Sequence, residues 1–298
     1  MKPGEFTMRR IAVVTDSNSG LTKAEAAEYG IYILPMTFFV DGKECLEGVS
    51  LREEEFFDSM RSGYTVSTTQ PTPGELSDLW EELLETHDAI VHIPMSKALS
   101  GGYSSAAMLS EDYDGRVQVA DSRRISVTQA SAAIEAARLA DEGLSAADIK
   151  GRLEEMSLEA SIYITVDTLE YLKRGGRIRS AEALAGEILG IRPVIQIKGG
   201  LLEPYCKVRG RKRAKKEMED AILGDAKALM DKYGEEQTEL YIAHADAEKE
   251  ASEWKERIES LFPGKKIHMA KLPLSICCHV GPGTIGVGVC VSRRNVKK

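Results

Sequence analysis

The first half of the chain alternates short apolar runs with amphipathic segments, and this alternation constrains the fold more than any other feature of the sequence. The apolar runs lie at residues 11–14, 31–36, 89–93 and 117–120, and helical periodicity lies between them at residues 51–60, 74–85 and 126–142. Continuous apolar runs of this length are typical of strands buried on both faces, and strands that alternate with helices form βαβ units. The pattern predicts an α/β domain with a parallel sheet.

The second half has a different rhythm. Strands are predicted at residues 161–166, 239–243, 267–272 and 284–292, and helices at residues 168–173, 181–189, 217–233 and 248–261. Lys198-Gly199-Gly200 separates two further apolar runs, 191–197 and 201–208, which predicts a β-hairpin. Gly175-Gly176 supplies the left-handed residue that commonly ends a helix. We therefore predict an N-terminal parallel-sheet α/β domain over residues 9–158 and a C-terminal α/β domain with a mixed or antiparallel sheet over residues 159–298.

Length and composition agree with a two-domain protein of the cytoplasm. A chain of 298 residues exceeds the usual size of one hydrophobic core, and its net charge of −8 argues against coating nucleic acid. We see no apolar run that would span a bilayer and no signal-peptide core before Ile11. The five cysteines form no C-x-x-C pair, which favours reduced thiols, and the scattered histidines predict no metal site.

Hydroxyl and carboxyl side chains follow the predicted strands of the first half. They are Asp16 and Ser17, Thr68 and Thr69, Ser100 before Gly101, and Asp121 and Ser122. Open parallel sheets bind ligands beyond the carboxyl ends of their strands, and hydroxyls donate hydrogen bonds to anions without carrying charge. We therefore predict an anion-binding rim, with helix capping as the alternative role of each residue taken singly.

His279 precedes Gly281-Pro282-Gly283, a turn that fixes the backbone on its C-terminal side. An imidazole there could donate a hydrogen bond to a carboxylate, and its protonated form would favour the anion. The alternative is a histidine that packs in the second core.

Two rival functions remain open on these residues. Asp16 and Asp121 could form a carboxylate pair of an enzyme acting on a small phosphorylated or acyl substrate, although no nucleotide-binding loop, nucleophile elbow or metal helix is present in the sequence. The basic cluster from Arg209 to Lys216 could dock an acidic partner or a membrane surface in a regulatory protein, or it could be a solvated helix start.

Several motifs, taken in order, resemble the DegV family of fatty-acid-binding proteins. The resemblance extends from about Ile11 to the end of the chain and rests on Thr15-Asp16-Ser17, Asp41-Gly42-Lys43-Glu44, Thr68-Thr69-Gln70-Pro71, Leu99-Ser100-Gly101, Asp121-Ser122, Thr168 through Ile178, and the His279 turn. Thr69 and Gly102 stand where the family more often has serine and threonine.

The resemblance implies a long-chain fatty acid between two α/β domains, and no cofactor. It implies that the carboxylate is held by the Thr68–Thr69 loop, the Ser100–Gly101 loop and His279. Some relatives are the acyl-carrying subunit of a fatty acid kinase, whose separate ATP-binding subunit phosphorylates the carboxylate. The resemblance thus implies a lipid-binding protein rather than an enzyme, with the ATP-binding subunit of a fatty acid kinase as its partner.

Two further sets of candidates accompany this reading. Candidates for docking the kinase partner are Arg174, Arg177, Arg209 and Arg211. Candidates for the walls of an acyl tunnel, with plain core packing as the alternative for each, are Ile33, Met36, Phe38, Ile93 and Leu189.

Overall fold

A computed structural model describes residues 10–177 and 190–292. The strands are β1 (Ile11–Asp16), β2 (Ile31–Leu34), β3 (Thr37–Val40), β4 (Lys43–Leu46), β5 (Val66–Thr68), β6 (Ala89–Ile93), β7 (Val117–Val119), β8 (Ala160–Thr165), β9 (Ile191–Lys198), β10 (Leu201–Arg209), β11 (Thr238–His244), β12 (Ile267–Lys271) and β13 (Ile285–Val291). The helices are α1 (Lys23–Tyr29), α2 (Glu53–Arg61), α3 (Pro73–Leu84), α4 (Gly102–Ser110), α5 (Ser126–Asp141), α6 (Ala146–Glu155), α7 (Glu170–Arg174), α8 (Arg211–Tyr233), α9 (Glu248–Leu261) and α10 (Leu274–Val280).

The first half is built on a parallel sheet with the strand order β2-β1-β6-β7. Every residue of β6 is buried, and alternate residues of a strand face opposite sides of the sheet. Both faces of the sheet are therefore covered, in each case by helices. Val13 and Val91 pack against Ile134 of α5 on one face, whereas Val14 and Ile90 share the other face with α3 and α4. The predicted parallel-sheet α/β fold is confirmed.

A small antiparallel sheet has the order β4-β3-β5 and packs in one hydrophobic cluster with α2 and α10. Asp41 and Gly42 join β3 to β4 with positive φ at both residues, as a two-residue hairpin turn requires. The expectation that Thr68 follows a strand of the parallel sheet is wrong, because Thr68 ends β5 of this small sheet. The strand sequence Val-Ser-Thr alternates in polarity, which is typical of a partly exposed strand and not of a doubly covered one.

The second half forms a mixed sheet with the order β10-β9-β8-β13-β11-β12, in which only β11 and β12 pair in parallel among the described strands. The predicted mixed sheet and the β9–β10 hairpin are confirmed, with Gly199 and Gly200 in the turn at positive φ. Helices α8 and α9 cover one face through Met218, Ile222 and Trp254. This sheet begins after residues 156–159, which follow α6.

Several element boundaries differ from the predictions. Helix α8 begins at Arg211 rather than at residue 217, because its basic first turns are stabilised by the pairs Arg213–Glu217 and Lys216–Asp220 one turn apart. Helix α10 was not predicted, since seven residues are too few to show a periodicity. Gly176, at a φ of 71°, follows α7 as predicted. The helix predicted at residues 181–189 lies outside the described residues, and within them no helix is long and apolar enough to cross a membrane.

Candidate functional site

A cavity of about 140 Å³ lies between the parallel-sheet half and the mixed-sheet half. Residues of both halves and of the small sheet line it, and most of the lining is apolar. The apolar lining residues are Met36, Met95, Leu99, Ile125, Val127, Ile162, Ile164, Leu172, Ile197, Leu202, Ala243, Leu272, Ile276, Val280 and Val287. This volume is far above the 10–15 Å³ or so that one water molecule needs, so the cavity can accept a larger apolar occupant.

Glycines on β13 keep part of this space open. Gly286 and Gly288 line the cavity, and the strand sequence Ile-Gly-Val-Gly-Val places Val287 and Val289 in the core on the α8 side. A Cβ atom on Gly286 would lie 2.7 Å from Cγ2 of Ile164, and one on Gly288 would lie 3.3 Å from Cγ1 of Ile162. Larger residues at these positions would therefore crowd the cavity wall.

One end of the cavity is polar and opens to the surface. The polar lining residues there come from three loops and from α10, and they are Thr68, Thr69, Gln70, Ser100, Gly101, Arg177 and His279. The hydroxyl of Thr68 and Nε2 of His279 lie 2.9 Å apart, within hydrogen-bond distance. Gln70 donates from Nε2 to Oγ of Ser105 at 2.7 Å, which ties the Thr68 loop to α4. We call these seven residues the polar mouth.

Two glycines of the neighbouring loops lie against side chains of the polar mouth. A Cβ atom on Gly175 would lie 2.1 Å from Nδ1 of the largely buried His279, so only a glycine leaves room for the ring in this position. A Cβ atom on Gly101 would lie 2.2 Å from Oε1 of Gln70, the end of an exposed side chain that can move aside. From the sequence, Gly175 was predicted only to help end a helix. Its contact with His279 could not be predicted, because it depends on the packing of α7 beside α10.

Burial and the charge of Arg177 lower the pKa of His279 to about 4, so the imidazole is neutral at physiological pH. Its Nδ1 atom is buried and has no hydrogen-bond partner among the described residues. A neutral ring with one nitrogen at Thr68 and the other unpaired has spare hydrogen-bonding capacity. The rise in pKa predicted for His279 beside a carboxylate stays a prediction for the loaded protein.

The structure places the predicted Asp16 side of the rim outside the cavity lining. Asp16 is buried, and its carboxylate accepts hydrogen bonds from the amides of Asn18 and Met95 and from Nε2 of Gln129, at 2.9–3.1 Å. Burial raises its pKa, against these hydrogen bonds. Ser17 Oγ accepts the amide hydrogen of Met36 at 2.9 Å. These side chains hold together the loops that follow β1 and β6.

Asp121 and Ser122 do not reach the cavity either. Asp121 lies 3.1 Å from Nζ of Lys97 and 3.8 Å from Nε of Arg123, and Ser122 is buried. Asp16 and Asp121 thus bind different partners. Asn18 and Ser275 line the cavity and were not among the predicted site residues; Asn18 lies within the predicted polar loop, but nothing in the sequence indicated Ser275.

Among the predicted tunnel walls, Met36 lines the cavity, whereas Ile33, Phe38 and Ile93 pack in hydrophobic cores. Leu189 lies outside the described residues. Most other residues that line the cavity come from β8, β9, β10, β13, α5 and α10, which are far apart in the sequence. Their assembly depends on tertiary packing.

The four candidate docking arginines occupy different environments. Arg177 lies at the polar mouth, where Nε donates to the Leu99 carbonyl at 3.3 Å and Nη1 donates to the Gly175 carbonyl at 2.5 Å. Arg211 does not fit a free docking residue, because it pairs with Asp167 at 2.7 Å and with Glu250, and it donates to the Gly283 carbonyl. Arg174 and Arg209 are exposed.

The basic cluster at the start of α8 is largely neutralised. Besides Arg211, Arg213 pairs with Glu217, Lys215 with Glu250 and Lys216 with Asp220. These pairs reduce the positive potential that a docking surface would need. In residues 10–177 and 190–292 no group of three or more histidine, cysteine, aspartate or glutamate side chains could hold a metal ion.

The family model of DegV, a family described there as uncharacterised proteins, matches residues 10–292. The chain belongs to the DegV family. A DegV domain-containing protein of Caldanaerobacter subterraneus subsp. tengcongensis is 31% identical over 281 residues, covering 94% of this chain and 98% of that protein. The family predicted from the sequence motifs is confirmed.

Solved DegV structures share the whole fold. The structure of a DegV family protein from Thermus thermophilus, described for its fatty acid binding, is 29% identical, with a TM-score of 0.85 over 95% of this chain and 99% of that one. DegV of Bacillus subtilis, described as a fatty acid binding protein, is 30% identical, with a TM-score of 0.84 over 95% and 100% of the two chains. Both of these structural neighbours of this DegV family member are described as binding fatty acids.

Proposed function

We propose that this chain binds one long-chain fatty acid, with the tail in the apolar cavity and the carboxylate at the polar mouth. The observation that carries the proposal is the cavity itself, which is apolar inside and ends at Thr68, Ser100 and His279. The ring of His279 is neutral, and only its Nε2 atom has a hydrogen-bond partner among the described residues. Thr69 and Gly101 stand beside them as further contacts to the carboxylate. The fatty acid binding described for the solved relatives supports the same function.

The expected energetics assign different roles to the tail and the head group. Burying the ~14 methylenes of a C16 tail contributes at most about 11 kcal/mol, at roughly 0.8 kcal/mol each. A hydrogen bond to the carboxylate contributes about 1.5–3 kcal/mol. The tail therefore sets the affinity, and Thr68, Ser100 and His279 set the orientation of the carboxylate.

A titration of delipidated protein with palmitate carrying a ¹³C carboxyl group tests this division. We expect saturable binding at one palmitate per chain, and a bound carboxyl resonance that shifts in Thr68→Val and Ser100→Ala while the Kd weakens roughly 10- to 150-fold, as the loss of one such hydrogen bond implies. Thr65→Val, an exposed threonine near the same strand, is the matched control and leaves the resonance unchanged. A wild-type protein that binds no palmitate would contradict the function; a folded Thr68→Val variant that lost all binding would contradict the ranking of tail over head group.

We further propose that the protein is not itself an enzyme and presents the carboxylate to a separate ATP-dependent fatty acid kinase subunit. The polar mouth supports this, because Thr69, Gln70 and Arg177 are exposed and a carboxylate beside them would be open to a partner. A cytoplasmic location fits the five unpaired cysteines. Mixing palmitate-loaded protein with ATP and a candidate kinase subunit should yield acyl phosphate, trapped as the hydroxamate; a product formed without that subunit would favour an enzyme instead.

A further inference from the structure

Helix α10 supplies several residues that line the cavity. The helix is too short for its own hydrogen bonds to stabilise it. Ser275, Ile276, His279 and Val280 all line the cavity. The helix has only seven residues, follows Pro273, and has no side-chain cap at its N-cap position. Isolated helices this short are unstable, so contacts from elsewhere in the chain determine its position.

Glu47 makes the most direct of these contacts. Its Oε1 atom accepts a hydrogen bond from the amide of Leu274 at 2.6 Å, and its Oε2 atom accepts one from the amide of Ser275 at 3.0 Å. Both amides belong to the first turn of α10, where no carbonyl within the helix can accept from them. A carboxylate there also interacts favourably with the helix dipole.

The small sheet brings Glu47 to this position. The Asp41-Gly42 turn folds β4 back along β3, and the amide of Glu47 donates to the Met36 carbonyl at 2.9 Å, one residue before β3 begins. The opposite face of α10 packs on the same sheet, with Leu274, Cys277 and Cys278 in one cluster with Phe38. The hairpin motif of the first half thus supports a helix of the second half.

We propose that Glu47 is a positioning residue that holds α10, and with it His279, in the orientation that receives the fatty acid carboxylate. The inference rests on the proposed fatty acid binding. Ser275 adds a second tie, since its hydroxyl donates to Oδ1 of Asn18 at 2.9 Å. Glu47 itself does not line the cavity, so its effect on the ligand is exerted through α10.

Replacing Glu47 by glutamine should weaken its contact with α10. Glutamine has nearly the same shape, but its amide nitrogen cannot accept a hydrogen bond from a backbone N–H and it carries no charge. Glu47→Gln therefore leaves one amide of the first turn unsatisfied and loosens α10. We expect palmitate binding to weaken about tenfold, which corresponds to about 1.4 kcal/mol.

The experiment compares wild type, Glu47→Gln, Glu47→Asp and Glu44→Gln. Glu44 is an exposed glutamate of the same hairpin, so Glu44→Gln is the matched control. Palmitate Kd is measured by calorimetry on delipidated protein, and the titration of the His279 ring is followed by NMR. In Glu47→Gln we expect a weaker Kd and a ring pKa that rises from about 4 towards the ordinary histidine value, because a displaced ring gains water. Glu47→Asp keeps the charge and should recover part of the affinity.

Each outcome decides a separate claim. Failure of the wild type to bind palmitate would refute the fatty acid function and not the contact of Glu47 with α10. Wild-type binding together with an unchanged Kd and ring titration in Glu47→Gln would overturn the positioning role. A general loss of stability with an unchanged ring titration would also overturn it, since a purely structural glutamate predicts that result. If Glu47→Gln does not fold, Glu47→Asp decides by the same two measurements.

Discussion

The ring of His279 is placed by Gly175, which follows α7, and by Thr68 of β5. Gly175 leaves the space that the imidazole occupies, and Thr68 offers a hydroxyl 2.9 Å from Nε2. Burial and Arg177 keep the pKa of the ring near 4. The ring is therefore neutral and oriented before any ligand arrives, which reduces the cost of ordering it on binding.

Gly175 and its neighbour Gly176 provide a matched pair of substitutions. In Gly175→Ala the new methyl would lie 2.1 Å from Nδ1 of His279, so the ring must move and palmitate binding should weaken about tenfold. In Gly176→Ala no atom of the described residues lies within 4 Å of the new methyl, but the φ of 71° is strained, so stability falls by about 1 kcal/mol with little change in binding. Urea unfolding and calorimetry separate the two effects, and equal binding losses in both variants would contradict this account of Gly175.

His92 gives the protein a specific pH dependence. It is buried on β6 beside Trp80, with both ring nitrogens lacking a hydrogen-bond partner within the described residues, and burial lowers its pKa to about 3. Below the ordinary histidine pKa of about 6.5 the unfolded chain binds a proton at His92, whereas the folded chain excludes that proton until about pH 3. The contribution of neutral His92 to the free energy of unfolding is therefore complete above about pH 6.5 and is lost as the pH falls from about 6.5 to about 3.

We therefore expect the stability of wild type minus that of His92→Leu to fall by about 1.4 kcal/mol per pH unit between about pH 6 and pH 4. Urea unfolding at several pH values gives this difference directly, and other titrating groups cancel in it. At neutral pH the leucine variant should be at least as stable as wild type, because a buried unsatisfied polar group is removed. A difference that does not change with pH would contradict this, because it would show that His92 binds its proton equally in the folded and the unfolded chain.

At the scale of secondary structure, the sequence predicted the strongly patterned elements, including the short strands β2 and β7, and missed α10 and the place of β5 in a separate sheet. The runs that became β1, β6 and β13 are continuous and apolar because both of their faces are covered, and this leaves a clear signal. Helix α10 has seven residues and β5 has three, so neither shows a period. Both nevertheless contribute to the polar mouth, through His279 and Thr68.

The candidate site was predictable in its residue types and less so in its assembly. Thr68, Ser100 and His279 were identified from loops and from the family motifs, and the structure brings them to one cavity end. Asp16 was assigned to the same rim because it follows a strand, but its carboxylate is bound by Gln129 of α5. Whether a polar loop residue faces a ligand or a neighbouring helix depends on tertiary contacts that no local pattern contains.

A substitution of Gly288 in β13 tests whether the fatty acid tail occupies the cavity. Gly288→Val adds a branched side chain between Ile162 and Val127, which the new Cβ would approach to 3.3 and 3.8 Å. Because the backbone there is extended, the strand should form, while palmitate affinity falls about tenfold or more through crowding of the cavity. Gly224→Ala is the control, because Gly224 is exposed on α8 and no atom in the described part of the chain lies within 4 Å of the new methyl. It should stabilise the protein by about 0.5–1 kcal/mol without changing affinity. Unchanged palmitate binding in a folded Gly288→Val variant would place the tail elsewhere.

At the scale of the whole molecule, the cavity exists because two sheets of different kinds meet across it. The parallel-sheet half contributes Met95, Leu99 and the start of α5, and the mixed-sheet half contributes β8, β9, β10 and α10. The small sheet joins the two halves through Glu47 and Phe38. Ligand binding at such a junction should stabilise both halves together, since the occupant contacts each of them.

The mass of the protein as purified shows whether the chain carries a fatty acid. Native mass spectrometry of the chain expressed in a bacterial host should show one added mass per chain, matching a fatty acid of about 14 to 18 carbons that disappears after denaturation. The same acid should appear in the organic extract in a ratio close to one per chain. A native mass equal to that of the bare chain, together with no uptake of added palmitate or oleate, would contradict the proposed function.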